Sequence, residues 1–349
     1  MTVEEQLQAV VSTGVPGAAV VAFGPAGRVE EAVGLADVQE RKPLTPHHRF
    51  RVGSVTKIFV APLVLRLVDE GVLDLDGDAG PFAQGITIRQ LLNHTSGLPD
   101  SDLVSDIVGF FEPYRQNPAH RVELSARAQL ALALEKPRLF PPGEGWAYRG
   151  VNYLVLGLIV EEKTGPSLRE ALRQWLLVPL GLNRTDLVQE PLRGDCARGY
   201  LPPGNPILPG ESGQVDVTEI DFPFYGAGGG MVSTPGEVAK MLHVLLGGDL
   251  LSDRLRGEML QAVDSDWPET DRYGLGIGEI TALMGGARSP CDSAWGHIGF
   301  SLGYTTFALS SADGERQVVV CANGASGSEE EEVSFFDAAG RLAWDLYCM

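Results

Sequence analysis

The segment SVTKIFVAPLVLRLVDEG, from Ser54 to Gly71, combines a strong helical pattern with a serine and a lysine at its start. Its apolar side chains recur at the spacing of one helix face, as at Phe59, Leu63, Leu67 and Val68. Gly71 follows the last of them and suits the position just after a helix, where a left-handed backbone is common. The pattern predicts a long helix that begins at Ser54.

The segments on both sides of this helix predict an α/β fold. Upstream, the pattern predicts a helix over Val3–Val11 and strands near residues 18–23 and 29–34. Toward the other end, three strand-like runs precede a terminal helix; they are YGLGIGEI, YTTFALSS and RQVVVCANG, followed by VSFFDAAGRLAWDLY. Strands at both ends predict one lobe built from both chain ends, an antiparallel sheet with flanking helices.

The middle of the chain predicts a second, mostly helical lobe inserted into the first. Its clearest helical segments are TIRQLL, ARAQLALALE, VNYLVLGLIVEE and SLREALRQWLL. After the glycine run at residues 226–230, Ser233 or Thr234 is expected to cap a helix, with Pro235 in its first turn. We therefore predict an α/β lobe from residues 1–72 and 231–349, and a helical lobe from residues 73–230.

Net charge and composition argue against several classes of partner. The chain of 349 residues has 27 Lys and Arg against 46 Asp and Glu, a net charge of −19. Nucleic acids and anionic membranes bind clustered positive charge, so neither is an expected partner. The histidines and the four cysteines show no metal-ligand spacing, so no metal or other cofactor is expected.

The N-terminal stretch MTVEEQLQAVV lacks a positive region followed by an apolar core. The chain also has no run of about 18 apolar residues. These patterns predict neither an export signal nor a membrane span, and we expect a cytoplasmic protein.

Ser54 and Lys57 stand three residues apart, so on a helix their side chains share one face within hydrogen-bond reach. A serine nucleophile needs a base, and a lysine among apolar neighbours can be neutral enough to serve. A helix start also favours a developing oxyanion. The competing interpretation is a capping serine beside a solvated lysine, because this spacing is common by chance. Of the five lysines, Lys42, Lys57, Lys136, Lys163 and Lys240, only Lys57 has a serine three residues before it.

Five segments resemble the penicillin-recognising serine enzymes, a family with class C β-lactamases, DD-carboxypeptidases and related esterases. They are FRVGSVTKIFVAPLVLRLVDEGVLDLD, ITIRQLLNHTSGLPD, PPGEGWAYRGVNYLVLGLIVEEKTG, GGGMVSTPGEVAKML and AWGHIGFSLGYTTFALSSADG. They follow the family's order from about residue 15 to about residue 325. The resemblance implies one β-lactamase-like domain over residues 1–349, with a fold of the β-lactamase/transpeptidase type.

The resemblance also implies three active-site motifs. Ser54 and Lys57 match Ser-x-x-Lys, and His297-Ile298-Gly299 matches the His/Lys-x-Gly motif of a strand. The Tyr-x-Asn motif falls on Tyr148-Arg149-Gly150, where glycine replaces the asparagine that normally binds the acyl-side amide of the substrate.

Further site residues follow from the same resemblance. Asn152 lies two residues after Gly150, and Gly150, Asn152 and Gly299 are expected at the substrate-binding surface. The backbone N–H groups of Ser54 and Phe300 are expected to form the oxyanion hole.

Each implied side chain has a role in acyl transfer. Tyr148 or Lys57 takes the Ser54 proton during attack, and Tyr148 then donates it to the leaving group. His297 keeps the site positive or hydrogen-bonds Tyr148. The alternatives are a half-buried core tyrosine and a strand histidine whose hydrogen bonds are satisfied within the fold.

Departures from the family pattern bear on the substrate. Phe300 replaces a threonine that helps hold a substrate carboxylate, and Arg288 is closer to Cys291 than the corresponding arginine of the carboxypeptidases. A bulky apolar Phe300 suits an ester, a neutral amide or a large acyl donor. Phe110, Phe111, Phe224 and Trp295 are candidates for lining such a pocket, and core packing is an equal alternative for each.

Cys291 and Cys348 stand where the exported carboxypeptidases carry a disulfide, although in the cytoplasm such a pair is expected to stay reduced. We expect a serine acyl-transfer enzyme that forms an acyl-enzyme on Ser54 and hydrolyses a small-molecule ester or amide. One alternative is a transacylase that passes the acyl group to an amine or alcohol in small-molecule biosynthesis. Others are a DD-carboxypeptidase or β-lactamase, and a binding protein that has lost catalysis, as Gly150 would suggest.

Overall fold

The structure is a computed structural model that describes most of the chain. The described residues are 1–25, 27–101, 112, 124–188, 190–205, 207, 213–220, 226–267, 270–283, 288–324 and 329–349, and for 329–332 the backbone alone is described. Among them, the α-helices are α1 (Val3–Val11), α2 (Lys57–Asp69), α3 (Ile88–Leu92), α4 (Ala126–Leu134), α5 (Gly150–Thr164), α6 (Leu168–Leu172), α7 (Gly226–Gly229), α8 (Pro235–Leu246), α9 (Asp253–Leu260) and α10 (Glu329–Tyr347). A π-helical turn at Arg173–Leu177 continues α6.

Strands from both chain ends form a nine-stranded antiparallel sheet. Its strands are β1 (Gly17–Gly24), β2 (Gly27–Asp37), β3 (Lys42–Pro43), β9 (Val263–Asp264), β10 (Thr270–Tyr273), β11 (Gly278–Ile280), β12 (Ala294–Ser301), β13 (Tyr304–Ser310) and β14 (Gln317–Ala322). Their order across the sheet is β3-β2-β1-β14-β13-β12-β11-β10-β9. In the pairing of β1 with β14, Ala18 lies opposite Ala322. This pairing joins strands from the two ends of the chain in one sheet. The predicted fold class is confirmed.

The central strands are buried on both faces, because helices cover each face. In β14, Val318 and Val320 pack into an apolar cluster with residues of α1 and α10. Val319 and Cys321 point the other way, into the larger core that contains most of α2, α5 and α8. The site described below lies on this second face.

Helix α2 matches the predicted segment, with one difference at its start. Residues Gly53–Thr56 form a 3-10 turn, and the α-helix begins only at Lys57. The helix ends at Asp69, and Gly71 adopts a φ of 70°, as the sequence predicts. Thr234 rather than Ser233 caps α8, since its side chain accepts a hydrogen bond from the Glu237 N–H and Pro235 takes the first turn.

The segment YGLGIGEI forms a hairpin rather than the single strand predicted for it. β10 ends at Tyr273, and β11 begins at Gly278. Between them Gly276 adopts a φ of 83° and packs so closely on α2 that an added Cβ would lie 2.4 Å from the Ala61 Cβ. The strand is interrupted where Gly276 packs on α2, a tertiary contact that the periodicity of the sequence does not predict.

A three-stranded sheet joins the middle of the chain to its flanks: β4 (Phe50–Arg51) and β5 (Asp186–Leu187) both pair with β8 (Met231–Ser233). A separate two-stranded sheet pairs β6 (Tyr200–Leu201) with β7 (Val215–Asp216). The proposed division into lobes at residues 72 and 230 stays a prediction. In the part of the chain that the structure describes, no helix has the length and apolar character needed to cross a membrane.

Candidate active site

The 3-10 turn and the first residue of α2 bring Ser54 and Lys57 together. Lys57 Nζ lies 3.1 Å from Ser54 Oγ and donates a second hydrogen bond, of 2.7 Å, to the Gly228 carbonyl. The two side chains therefore lie within hydrogen-bond distance of each other, as their spacing in the sequence predicts. Gly228 belongs to α7, so the glycine run predicted before α8 supplies a backbone acceptor that orients the lysine amine.

Lys57 is buried in an aromatic environment. Its side chain is 1% exposed, and Nζ lies 4.8 Å from the ring centre of Tyr148 and 5.2 Å from that of Tyr153. Burial lowers the pKa of Lys57 to about 7, although the charge of Asp100 raises it in part. A substantial fraction of this lysine is therefore neutral near pH 7.

Tyr148 faces the same serine. Its hydroxyl oxygen is buried, and the ring stacks on Trp267 with centroids 5.0 Å apart. Burial holds the pKa of Tyr148 well above its usual value, the Ser54 hydroxyl lowers it, and Asp100 raises it. Among the described residues, the hydroxyl has no hydrogen-bond partner of good geometry, and Ser54 is near enough to lower its pKa. A protonated phenol therefore stands beside the serine and can donate.

His297 differs from the role expected for it. Its Nδ1 donates to the Ile298 carbonyl at 2.6 Å, so Nε2 accepts a 3.0 Å hydrogen bond from the Tyr273 hydroxyl. Burial, followed by the charge of Lys57, lowers the pKa of His297 to about 3. The histidine is neutral and bound to Tyr273, so it neither makes the site positive nor hydrogen-bonds Tyr148, and its ring packs 6.0 Å from that of Tyr148.

The backbone around Ser54 lies directly against the end of β12. A Cβ added to Gly53, whose φ is 52°, would fall 2.3 Å from the Phe300 carbonyl oxygen, and one on Gly299 would fall 2.0 Å from that of Val52. Both glycines are thus required for this close approach. The oxyanion hole from the Ser54 and Phe300 N–H groups stays a prediction that this contact supports.

The Phe300 side chain lies on the other face of the sheet. Its ring packs 5.7 Å from that of Phe336 in α10, and its neighbour two residues before, Ile298, packs into the α1 and α10 cluster. Because side chains alternate along a strand, Phe300 points away from the face that carries His297 and Gly299. The expectation that this side chain shapes the substrate pocket is therefore wrong.

Two other residues expected at the substrate surface are held inside the fold. The Asn152 side chain is fully buried, with Nδ2 2.9 Å from His94 Nδ1 and Oδ1 accepting from the Ser96 hydroxyl at 2.5 Å. Its amide is committed to internal partners. Trp295 is 8% exposed and packs in the main core. Phe110, Phe111 and Phe224 lie outside the described residues.

Gly150 begins α5 beside a carboxylate from another part of the chain. The Asp100 Oδ1 accepts from the Val151 N–H at 2.9 Å, and its Oδ2 accepts from the Gly150 N–H at 3.3 Å. A carboxylate at this end of a helix is stabilised by the N–H groups and the helix dipole. Gly150 itself is exposed, so the position of the absent asparagine is open.

The residue patterns alone did not identify several neighbours of the site. His94 is fully buried with a φ of 65°, and its Nδ1 accepts from the Arg149 N–H at 3.3 Å while its ring lies 4.5 Å from that of Tyr148. Asp100 and Tyr273 were missed as well. His94 and Asp100 belong to the segment ITIRQLLNHTSGLPD, whose resemblance to the family was the available signal.

The cysteines expected to correspond to an exported disulfide are bonded. Cys291 and Cys348 form a disulfide that joins the loop before β12 to the end of α10. Arg288, in the same loop, is exposed.

Comparisons with known proteins identify relatives of this chain. A model of the beta-lactamase family matches residues 2–340. The chain is 26% identical to penicillin-binding protein 4* of Bacillus subtilis over 317 residues, 86% of this chain and 66% of that protein. It is 31% identical to a D-aminopeptidase of Brucella anthropi over 196 residues, 51% of this chain and 35% of that protein.

Among solved structures, a D-stereospecific amidohydrolase from Streptomyces sp. has a TM-score of 0.78 at 27% identity, covering 95% of this chain and 96% of that chain. The chain spans less than two thirds of the length of the two curated relatives.

Proposed function

This chain belongs to the beta-lactamase family, and we propose that it is a serine hydrolase that cleaves small-molecule amides or esters through an acyl-enzyme on Ser54. The observation that carries the proposal is the contact of Ser54 Oγ with Lys57 Nζ at 3.1 Å, with the pKa of Lys57 lowered to about 7. A neutral amine at that distance accepts the serine proton when the hydroxyl attacks a carbonyl.

Acylation follows from the positions of Lys57 and Tyr148. The Ser54 proton moves to Lys57 Nζ as Oγ bonds to the substrate carbonyl carbon, and the carbonyl oxygen takes the negative charge. The N–H groups of Ser54 and Phe300 stabilise this oxyanion. When the intermediate collapses, the Tyr148 hydroxyl donates its proton to the leaving group, and Lys57 returns a proton to Tyr148. The raised pKa of Tyr148 supports this donor role, and the lowered pKa of Lys57 supports its role as base.

Hydrolysis of the acyl-enzyme reverses these transfers with water. A water molecule loses a proton to Lys57 as its oxygen attacks the carbonyl carbon of the acyl-enzyme ester. Ser54 Oγ then leaves and takes a proton from Tyr148. His297 and Tyr273 pack around the Tyr148 ring and do not exchange protons with the substrate, since His297 is neutral and hydrogen-bonded to Tyr273.

The names of two relatives support amides as the substrate class. One is a D-aminopeptidase and the other a D-stereospecific amidohydrolase. The open position at Gly150 supports a substrate that lacks the acyl-side amide which the asparagine of the family motif normally binds. An amine or alcohol acceptor stays an alternative to water, and product analysis with added amines and alcohols distinguishes ester or amide products from free acid.

Covalent labelling tests the proposed nucleophile. A fluorophosphonate probe should add to the protein, and peptide mapping should find the adduct on Ser54, since its hydroxyl lies beside a base. Ser54→Ala should abolish both the adduct and ester hydrolysis. Ser289→Ala is a matched control, because this serine lies in the loop of Cys291 and the described partners of its hydroxyl are Cys291 and the Asp292 carbonyl instead of a lysine. An adduct that persists in Ser54→Ala would contradict the assignment.

The compartment is open to a separate test. The N-terminal pattern predicts the cytoplasm, whereas the disulfide between Cys291 and Cys348 is typical of oxidising compartments. Alkylating free thiols in lysed cells before denaturation, followed by mass analysis of the Cys348 peptide, shows which state the protein has in its own compartment.

A further inference from the structure

The glycine at position 150 leaves space at the N-terminus of α5. A Cβ added there would lie 3.8 Å from Asp100 Oδ1, with no other described atom within 4 Å, and Gly150 is not among the glycines with a positive φ. Neither the backbone conformation nor packing in the described structure therefore requires a glycine. Its effect is to leave the Asp100 carboxylate uncovered on the side where a longer residue would stand.

Asp100 keeps capacity for another partner. Each of its carboxylate oxygens accepts one backbone N–H, from Gly150 or Val151, and each oxygen has a second lone pair. In the described part of the chain no lysine, arginine or histidine forms an ion pair with Asp100. The helix N-terminus contributes about half a positive charge against the full negative charge of the carboxylate, so the net charge here is negative.

This negative charge acts within the catalytic site. Tyr148 lies two residues before Gly150, and the charge of Asp100 raises the pKa of both Tyr148 and Lys57. The neighbouring cation, Arg149, donates from Nη1 to the Tyr148 carbonyl at 2.7 Å. Lys57 is directed to Ser54 and Gly228 and is partly neutral near pH 7.

We propose that Asp100, uncovered by Gly150, binds an ammonium group of the substrate, so that the preferred substrates are amides whose acyl part carries a free protonated amine. An amino-acid amide has this chemistry. The inference rests on the proposed function, because it names the substrate class of the same site. An N-acylated analogue leaves Asp100 without its cation and finds no asparagine for its amide, so the site rejects it.

A pair of substrates that differ only in charge tests the inference. D-phenylalanine amide and N-acetyl-D-phenylalanine amide are compared at pH 6.5, where an α-amino group is protonated. The wild-type protein should have the higher kcat/KM for the free amine. In Asp100→Asn, which keeps an amide oxygen for the helix N–H groups, the ratio of the two kcat/KM values should fall about tenfold to a hundredfold.

Gly150→Asn tests the same site without removing Asp100. The asparagine should cover the carboxylate and supply the missing amide, so the same ratio should fall by about tenfold or more. Asp253→Asn is the control, because this side chain is 95% exposed and belongs to α9, and it should leave the ratio at the wild-type value.

The outcomes separate the inference from the proposed function. Equal kcat/KM values for the two wild-type substrates, or an equal loss on both in Asp100→Asn with Gly150→Asn unchanged, would overturn the ammonium site while Ser54 labelling persists. If the protein cleaves neither amide and Ser54 is not labelled, the proposed function fails and the inference fails with it.

Discussion

At the scale of single residues, Lys57 decides the pH range in which the site works. With a pKa of about 7, its neutral fraction rises as the pH rises through that value. Hydrolysis of a neutral ester should therefore increase from pH 5 to pH 8 with an apparent pKa of about 7 in kcat/KM. A neutral ester is the proper probe, because it has no group of its own that titrates in this range.

The Asp100 charge contributes to the position of this pH profile, which burial of Lys57 mainly determines. Because that charge raises the pKa of Lys57, Asp100→Asn should move the midpoint of the ester profile to lower pH. The other ionisable groups around Lys57 do not titrate there: burial lowers the pKa values of His94 and His297 and raises that of Tyr148. A midpoint that stays in place would show that another group controls the profile.

At the scale of elements, the contact between the 3-10 turn and β12 should be intolerant of any side chain at Gly53. Gly53→Ala should destabilise the protein by about 1–3 kcal/mol beyond the cost of the left-handed backbone, because its Cβ would meet the Phe300 backbone. Gly71→Ala is the matched variant, since Gly71 has a φ of 70° and open space around it. Urea unfolding measures both, and equal losses would contradict the steric explanation.

Periodicity in the sequence predicts the long elements of the fold but not the contacts between them. Helix α2 and strands β13 and β14 are long apolar patterns, so the sequence alone predicts them. The β10–β11 hairpin is missed, because Gly276 turns the chain in order to pack on α2. The hydrogen bond of Asn152 to His94 joins residues 58 positions apart. Such a pairing comes from the tertiary fold, and it removes Asn152 from the substrate surface.

At the scale of the whole molecule, the disulfide ties the last residues of α10 to the sheet. Cys291 and Cys348 are 57 residues apart in sequence, and bonding them restricts the unfolded chain. The double variant Cys291→Ser with Cys348→Ser should lose about 2–4 kcal/mol of unfolding free energy. A reductant should lower the stability of the wild-type protein by a similar amount and leave the double variant unchanged. A wild-type protein insensitive to reductant would contradict a structural role for this bond.

The pairing of β1 with β14 also has a consequence for the way the protein is made. Ala18 leaves the ribosome about 300 residues before its partner Ala322. At roughly 5–20 residues per second, the first hairpin waits on the order of 15–60 s with one edge of β1 unpaired. During that interval the β1 side chains that are buried in the folded protein are accessible to chaperones and to other nascent chains. Slower translation should therefore lower the yield of folded protein, and dilution or a holdase chaperone should restore it.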